Sequence, residues 1–173
     1  MSGEKLRKQI KKRAFEQGEF ILASGRKSNY YINIKNAYTE PEVLRNIAKY
    51  IAEKLSEIEY DLIAGVAVGA VPIVTAVALE VNKPFLIVRK ERKNYGTGMN
   101  IEGKFSKGER VVVLEDVTTT GGSVIKAIKE LREKGLECST AIAVVDREEG
   151  AGENLKKEEV ELISLMEVSE LMR

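Results

Sequence analysis

The sequence predicts an α/β fold with a central, mostly parallel sheet flanked by helices. Short apolar runs, typical of buried strands, alternate with segments whose apolar residues recur at helical spacing. The strands are predicted at residues 61–66, 84–88, 111–114, 139–146 and 160–166. The helices are predicted at about residues 39–57, 73–81, 124–132 and 168–172. Strands that alternate with helices in this way indicate parallel β–α–β units.

The N-terminal segment has a different pattern. Residues 4–17 are basic with a narrow apolar stripe, which predicts a helix that packs on the domain and ends at Gly18. Residues 20–22 and 30–34 predict two short strands joined by a basic turn, and therefore a hairpin. Thr39 is predicted to cap the next helix, because proline and glutamate follow in its first turn.

The composition limits the chemistry. The chain has 173 residues, no histidine and a net charge of +1. Any acid–base role therefore falls to lysine, tyrosine, aspartate or glutamate, and no overall basic field favours nucleic acid. The single cysteine, Cys138, excludes an internal disulfide and a zinc cluster. No apolar run has transmembrane length and the N-terminus lacks a signal-peptide core, so a cytoplasmic location is predicted.

The most informative stretch runs from Arg110 to Ser123. Its apolar strand is followed by two adjacent carboxylates, Glu115 and Asp116, and then by a loop of threonines and glycines that opens a helix. Ligands of α/β sheets bind at the carboxyl ends of strands. The carboxylates could bind a sugar diol or a metal, and the loop amides at a helix N-terminus suit a phosphate. Diol and phosphate together suggest a ribose 5-phosphate. The alternative is an ordinary strand–turn–helix.

Other nucleotide motifs do not fit. A P-loop requires a lysine after its second glycine, and none follows Gly121 or Gly122. A dinucleotide-binding fingerprint requires three spaced glycines directly after a strand, whereas Gly96 and Gly98 follow a charged loop and lack the third.

Three further loops are candidates for ligand binding. The small residues of 65–72 would let backbone amides approach a ligand, although tight strand–helix packing also explains them. Residues 89–103 have four cations in the first five positions and then three glycines, which suits a lid over a polyphosphate; the alternative is a solvated turn. Arg147 follows a strand and could pair with a ligand carboxylate, or with Glu148 or Glu149.

The stretch from Arg110 to Ser123 resembles the phosphoribosyl pyrophosphate (PRPP) signature of the type I phosphoribosyltransferases. The hairpin segment F-I-L-A-S-G-R-K-S-N-Y-Y-I-N resembles the N-terminal hood of the orotate phosphoribosyltransferases. In that family the residues after S-G-R-K-S border the orotate ring, and Tyr31 and Ile32 fall at those positions. Ala23 stands where several bacterial members have an active-site lysine. Val68 and Gly69 replace the Tyr-Lys pair that many bacterial members have in the pyrophosphate loop.

Residues 89–103 resemble the catalytic loop of the same family, R-K-x-x-K-x-x-G. Arg89, Lys90 and Lys93 match its cations, and Tyr95 stands where many bacterial members have histidine. The Asp146-Arg147 pair matches the one that supplies an arginine to the orotate side of the site. The resemblance covers about residues 18–150 in the family order.

The resemblance implies an orotate phosphoribosyltransferase of pyrimidine biosynthesis, which makes orotidine 5′-monophosphate and pyrophosphate from orotate and PRPP. It implies one type I phosphoribosyltransferase domain over 1–173, with a small hood at about 1–38 and the core at about 39–173. It implies Mg²⁺ held mainly through PRPP with no dedicated protein ligand, and a homodimer that shares loop 89–103 across its interface. Neither nucleic acid nor membrane is an expected partner.

The implied site residues fall into three groups. The catalytic group is Lys93, Glu115 and Asp116. The PRPP-binding group is Arg89, Lys90, Lys93, Tyr95, Glu115, Asp116, Val117, Thr118, Thr119, Thr120, Gly121, Gly122 and Ser123. The orotate-binding group is Thr119, Arg147, Tyr31 and Ile32. Two alternatives stay open: a phosphoribosyltransferase for another base, and a non-catalytic PRPP-sensing regulator on the same fold.

Overall fold

The computed structural model describes residues 3–21, 27–89 and 100–173. Its elements are, in chain order, α1 (Gly3–Ala14), β1 (Phe15–Ile21), β2 (Lys27–Ile32), α2 (Lys35–Tyr38), α3 (Pro41–Leu55), β3 (Leu62–Val66), α4 (Val71–Val81), β4 (Phe85–Val88), β5 (Ile101–Glu102), β6 (Arg110–Thr118), α5 (Gly122–Glu133), β7 (Glu137–Asp146), α6 (Ala151–Lys157), β8 (Glu161–Glu167) and α7 (Val168–Met172). All five predicted core strands and the helices predicted around them are present.

Six strands form the central sheet in the order β5-β4-β3-β6-β7-β8. Among the described strands, β4 and β5 run antiparallel, and the other four neighbouring pairs are parallel. The predicted mostly parallel sheet is confirmed. The sequence did not predict β5, because a strand of two residues is too short to show a period. Because β3, β6 and β7 are parallel, their carboxyl ends meet at one edge of the sheet.

Helices cover both faces of this sheet. Successive side chains of a strand point to opposite faces, and those of β6 belong to two different apolar clusters. Val112 and Leu114 pack with residues of α1, α2, α3 and α4. Val111 and Val113 pack with residues of α5 and α6. In the described part of the chain, no helix is long and apolar enough to span a membrane.

The segment predicted to be the hood contains α1, α2 and an antiparallel hairpin in which β1 and β2 form a separate sheet. Helix α1 buries Leu6, Ile10 and Ala14 in the core cluster that also contains α3. The prediction that this helix continues to residue 17 is wrong, because the chain turns into β1 at Phe15. Gly18 lies inside β1, where the pairing register shifts between Gln17 and Phe20. The hairpin tip, residues 22–26, lies outside the described residues.

The predicted start of α3 is wrong. Thr39 is not the N-cap of α3, because its hydroxyl donates to the Lys35 carbonyl and ends the short helix α2. Glu40 holds the N-cap position and makes no side-chain cap bond. The sequence analysis also missed α2 and α6, which have four and seven residues. Helices this short show too little periodicity to be recognised.

Candidate active site

The two adjacent carboxylates lie near the carboxyl end of β6 in different surroundings. The strand continues to Thr118, so Glu115 and Asp116 lie within it and not after it. Glu115 is 5% exposed, whereas Asp116 is only half-buried. Consecutive strand residues face opposite sides of a sheet. A ligand at the strand end therefore has direct access to Asp116, while Glu115 lies deeper.

Asp116 packs against the loop that follows β3. A Cβ atom added to Gly69 would lie 2.6 Å from the Asp116 carboxyl carbon, so no side chain fits at position 69 with the carboxylate where it is. The Val117 amide donates to Asp116 Oδ1 at 2.8 Å. These contacts hold the carboxylate between β6 and the small-residue loop. The glycine is therefore explained by a close approach to a site residue.

Tyr38 is a neighbour of Asp116 that the sequence analysis missed. It lies at the end of α2 and is 5% exposed. Burial raises the pKa of its phenol, and the negative charge of Asp116 raises that pKa further. The phenol therefore stays protonated and can donate a hydrogen bond. No signal in the sequence pointed to this residue, because the short helix that places it was not predicted.

The threonine–glycine loop connects β6 to the N-terminus of α5. Gly121 is the N-cap residue, with a φ of 80° that favours glycine, and no side chain caps this helix end. The amide nitrogen of Asn154 in α6 donates to the Thr120 carbonyl at 3.0 Å and holds the loop from outside. A helix N-terminus of this kind attracts an anion through its backbone amides and its dipole.

Arg147 follows β7, next to the same loop. Its backbone amide donates to the Thr118 carbonyl at 3.0 Å, which fixes its position beside β6. Its side chain is 11% exposed, and its Nε lies 3.0 Å from Glu149 Oε1. One of the two local ion pairs considered from the sequence is therefore present. Nη2 donates to the Tyr30 hydroxyl at 3.3 Å, so the hood contacts the core here.

The aromatic residues of β2 lie on different faces of the hairpin. Tyr30 and Ile32 share the face that turns to the core, and Ile32 is 9% exposed. Tyr31 lies on the other face beside Phe20, with ring centroids 5.5 Å apart, and is 40% exposed. Tyr31 and Ile32, the pair expected at the orotate ring, therefore do not face the same side of the hairpin. The residue in contact with Arg147 is Tyr30, which the sequence analysis did not select.

Of the cations predicted in the basic loop, Arg89 lies within the described residues. Its Nε lies 3.4 Å from Glu102 Oε1 across the β4–β5 pair. It also lines a cavity of about 300 Å³ with Ser123 and Lys126 of α5. Lys90, Lys93 and Tyr95, like Ala23 in the hood, lie outside the described residues.

Comparison with known proteins identifies the family. Residues 33–167 match the model of the phosphoribosyl transferase domain. The orotate phosphoribosyltransferase of Methanocaldococcus jannaschii is 58% identical over 154 residues, which cover 89% of this chain and 87% of that one. The chain belongs to the orotate phosphoribosyltransferases. The recognition made from the hood, the central stretch and the basic loop is thereby confirmed.

Solved structures of the family have the same fold. The orotate phosphoribosyltransferase of Aeropyrum pernix superposes with a TM-score of 0.85 at 36% identity, covering 99% of this chain and 96% of that one. The Mycobacterium tuberculosis orotate phosphoribosyltransferase in complex with PRPP superposes with a TM-score of 0.82 at 27% identity, covering 99% of each chain. The predicted type I phosphoribosyltransferase fold is confirmed.

Proposed function

We propose that this orotate phosphoribosyltransferase transfers the 5-phosphoribosyl group of PRPP to orotate at the carboxyl edge of β6 and β7. One observation carries the proposal. The carboxylate of Asp116, the uncapped N-terminus of α5 and the guanidinium of Arg147 all lie at this edge. They suit the ribose diol, the 5-phosphate and the orotate carboxylate, respectively.

The PRPP half of the site is built on β6 and its loop. Asp116 and Glu115 accept hydrogen bonds from the ribose hydroxyls and favour the positive charge that develops at C1. The backbone amides and hydroxyls of the loop bind the 5-phosphate. The loop residues proposed for this role are Val117, Thr118, Thr119, Thr120, Gly121, Gly122 and Ser123.

The orotate half lies between the hood and the end of β7. Arg147 pairs with the orotate carboxylate, and Thr119 faces the base from the phosphate loop. Tyr31 and Ile32 remain proposed contacts of the ring, of which Ile32 lies on the core-facing side of the hairpin. Burial raises the pKa of Asp146, the residue that precedes Arg147.

The basic loop is proposed to close over the departing pyrophosphate. Arg89, Lys90 and Lys93 offset its charge, Tyr95 contributes a hydrogen bond, and closure excludes water that would hydrolyse PRPP. Mg²⁺ is proposed as a cofactor that neutralises the pyrophosphate. Among the described residues no group of three or more acidic, histidine or cysteine side chains could hold a metal. Because Mg²⁺ keeps waters and binds substrate phosphates readily, PRPP is proposed to supply its main ligands.

We further propose a single domain that acts as a cytoplasmic homodimer, with no nucleic acid or membrane partner. The packing of α1 into the core cluster supports one domain, with the hood at about 1–38 and the core at about 39–173. Two apolar side chains support the dimer, since Leu79 of α4 is 81% exposed and Val68 is 72% exposed. Val68 lies close to the point where β4 leads into the basic loop, because the amide of its neighbour Ala67 donates to the Val88 carbonyl at 2.8 Å. A partner seated on Val68 would therefore be within reach of that loop.

The base specificity is tested by measuring pyrophosphate release with PRPP and each of orotate, uracil, adenine, guanine and xanthine. Release with orotate alone is the expected result. Preferential release with another base would replace orotate in the proposal. The absence of release with every base, with PRPP still bound, would favour a PRPP-sensing regulator.

Sharing of the loop across the dimer is tested by mixing two inactive variants, Lys93→Ala and Asp116→Ala. Lys93→Ala alone should lower kcat by about 10²–10³-fold, as for one lost transition-state donor. In a two-fold dimer each mixed pair regains one intact site, so random exchange should restore roughly a quarter of the activity. The absence of recovery, with subunit exchange confirmed, would place Lys93 in its own subunit's site or outside it.

A further inference from the structure

Tyr30 contacts the guanidinium of Arg147 in two ways. The Arg147 Cζ atom lies 5.0 Å from the centroid of the tyrosine ring, within the range of a cation–π interaction. Arg147 Nη2 also donates to the Tyr30 hydroxyl at 3.3 Å. Ring and hydroxyl therefore restrict both the plane and the rotation of the guanidinium.

The remaining contact of Arg147 is less well aligned. Nε lies 3.0 Å from Glu149 Oε1, yet the buried Nε–H has no hydrogen-bond partner with acceptable geometry. An ion pair of this geometry attracts the arginine without fixing its orientation. The orientation therefore depends mainly on Tyr30.

Tyr30 is itself held in place. Its ring stacks on Phe15 with centroids 5.9 Å apart and an interplanar angle of 21°. Its backbone pairs with Gln17 of β1, and its carbonyl accepts a hydrogen bond from the Ser28 hydroxyl at 2.7 Å. A rigid ring is a better support for a flexible arginine than a mobile one would be, because less conformational entropy is lost.

We propose that Tyr30 is a positioning residue that orients Arg147 toward the orotate carboxylate. It acts from the hood on a residue of the core, 117 positions away in the chain. The inference rests on the proposed role of Arg147 in orotate binding. A bidentate arginine–carboxylate pair requires a defined guanidinium plane, and Tyr30 supplies that plane before the substrate arrives.

The test compares Tyr30→Phe and Tyr30→Leu in steady-state kinetics. Tyr30→Leu removes ring and hydroxyl and should raise the KM for orotate by about 5- to 30-fold, the range of a cation–π contact of 1–2 kcal/mol. Tyr30→Phe keeps the ring and should therefore retain most of the affinity for orotate. The KM for PRPP should change by no more than about two-fold in both variants, which corresponds to less than 0.5 kcal/mol, because Arg147 is proposed to bind orotate and not PRPP.

Tyr60→Leu is the matched control. Tyr60 has a comparable contact, with Lys83 Nζ 5.4 Å from its ring centroid, but it lies at the opposite edge of the sheet. The Tyr60→Leu variant should lower thermal stability without changing the KM for orotate. An equal rise in this KM for Tyr60→Leu would mean that the effect of Tyr30 is a general loss of stability, which would overturn the proposal.

A double-mutant cycle separates positioning from direct contact. In an Arg147→Ala background, Tyr30→Leu should cause no further rise in the KM for orotate, because the residue that it orients is gone. A full, additive rise would make Tyr30 act independently and would overturn the proposal. If Arg147→Ala alone leaves this KM unchanged, the proposed role of Arg147 fails first. If Arg147→Ala raises it and Tyr30→Leu does not, only the positioning role fails.

Discussion

Two arginines at opposite edges of the sheet have contrasting surroundings. Arg110 begins β6, and its backbone amide, Nε and Nη2 all donate to the carboxylate of Asp61 at 2.9–3.1 Å. Its Nη1 donates to Glu59 at 2.6 Å. Arg147 follows β7 and has a long bond to Tyr30 and a misaligned pair with Glu149. All three guanidinium nitrogens of Arg110 donate to carboxylates of the fold, whereas the buried Nε–H of Arg147 has no acceptor with acceptable geometry.

The same contrast shows that cavity size does not locate the site. The amino edge has a cavity of about 560 Å³, lined by Arg110, Arg132 and Cys138 among others. Arg132 donates to the backbone carbonyls of Glu158 and Cys138, so its guanidinium is also engaged. Burial raises the pKa of the Cys138 thiol to about 11, which keeps it unreactive near neutral pH. The cavity at the carboxyl edge is smaller, about 300 Å³, but Gly122 and Ser123 of the phosphate loop and Arg89 of the basic loop line it.

The largest effect is expected from Asp116→Asn at the carboxyl edge. The amide keeps the shape of the side chain but loses the charge that accepts the ribose diol and favours the developing cation. Turnover should fall by about 10²–10³-fold or more, with the melting temperature close to that of the wild type. Near-normal turnover in the folded variant would remove the acidic pair from the mechanism.

A smaller loss is expected from Gly69→Ala, which tests how closely the loop holds Asp116. The new Cβ would lie 2.6 Å from the Asp116 carboxyl carbon. The Asp116 side chain can rotate away from it at little cost to stability. Because displacement by about 1 Å can cost about 10²-fold in rate, kcat should fall by up to that amount. Gly152→Ala is the control, since its Cβ would meet nothing within 4 Å. Equal kcat values for the two variants would contradict the packing argument.

The smallest effect is expected from Asp61→Asn at the amino edge, and it concerns stability alone. The side-chain hydrogen bond from Arg110, with a further one from its backbone amide, lowers the pKa of Asp61 to about 2. A depressed folded-state pKa stabilises the fold above the unfolded-state value of about 3.9 and loses that contribution as the pH falls toward 2. The variant should therefore melt lower near neutral pH and lose less stability between pH 4 and pH 2.

Glu59→Gln is the control for this pH dependence. Glu59 also binds Arg110, but its side chain is 91% exposed, and exposed ion pairs contribute little. Its melting curves should follow those of the wild type across the same pH range. An identical acid profile for Asp61→Asn and the wild type would show that the Arg110 pair does not stabilise the fold.

The sequence predicted most of the fold and those parts of the site that are local in the chain. The strand, the acidic pair and the loop of residues 110–123 are contiguous, so their juxtaposition follows from one strand–loop–helix unit. The contacts that were missed join distant segments. Tyr30 meets Arg147 only because the hood folds onto β7, and Asp116 meets Gly69 only because β3 and β6 are neighbours.

Short elements caused the remaining errors. The helices α2 and α6 hold Tyr38 and Asn154 beside the site, but neither has enough residues to show a helical period. The capping pattern at Thr39 predicted the wrong contact, because the threonine hydroxyl donates to the Lys35 carbonyl at the end of α2 and does not cap α3. In the hairpin, the alternation was too weak to orient the strand, and the tyrosine that faces the core could not be chosen from the pattern.

The most direct test of the contrast between the two edges is to compare Arg147→Ala with Arg110→Ala, measuring the KM for orotate, the KM for PRPP and the melting temperature of each. Arg147→Ala should raise the KM for orotate by the equivalent of about 2–5 kcal/mol, the cost of losing a buried charged partner, and change the KM for PRPP far less. Arg110→Ala should lower the melting temperature and leave both KM values near those of the wild type. Equal effects of Arg147→Ala on the two substrates, or a selective loss of orotate affinity in Arg110→Ala, would contradict the account.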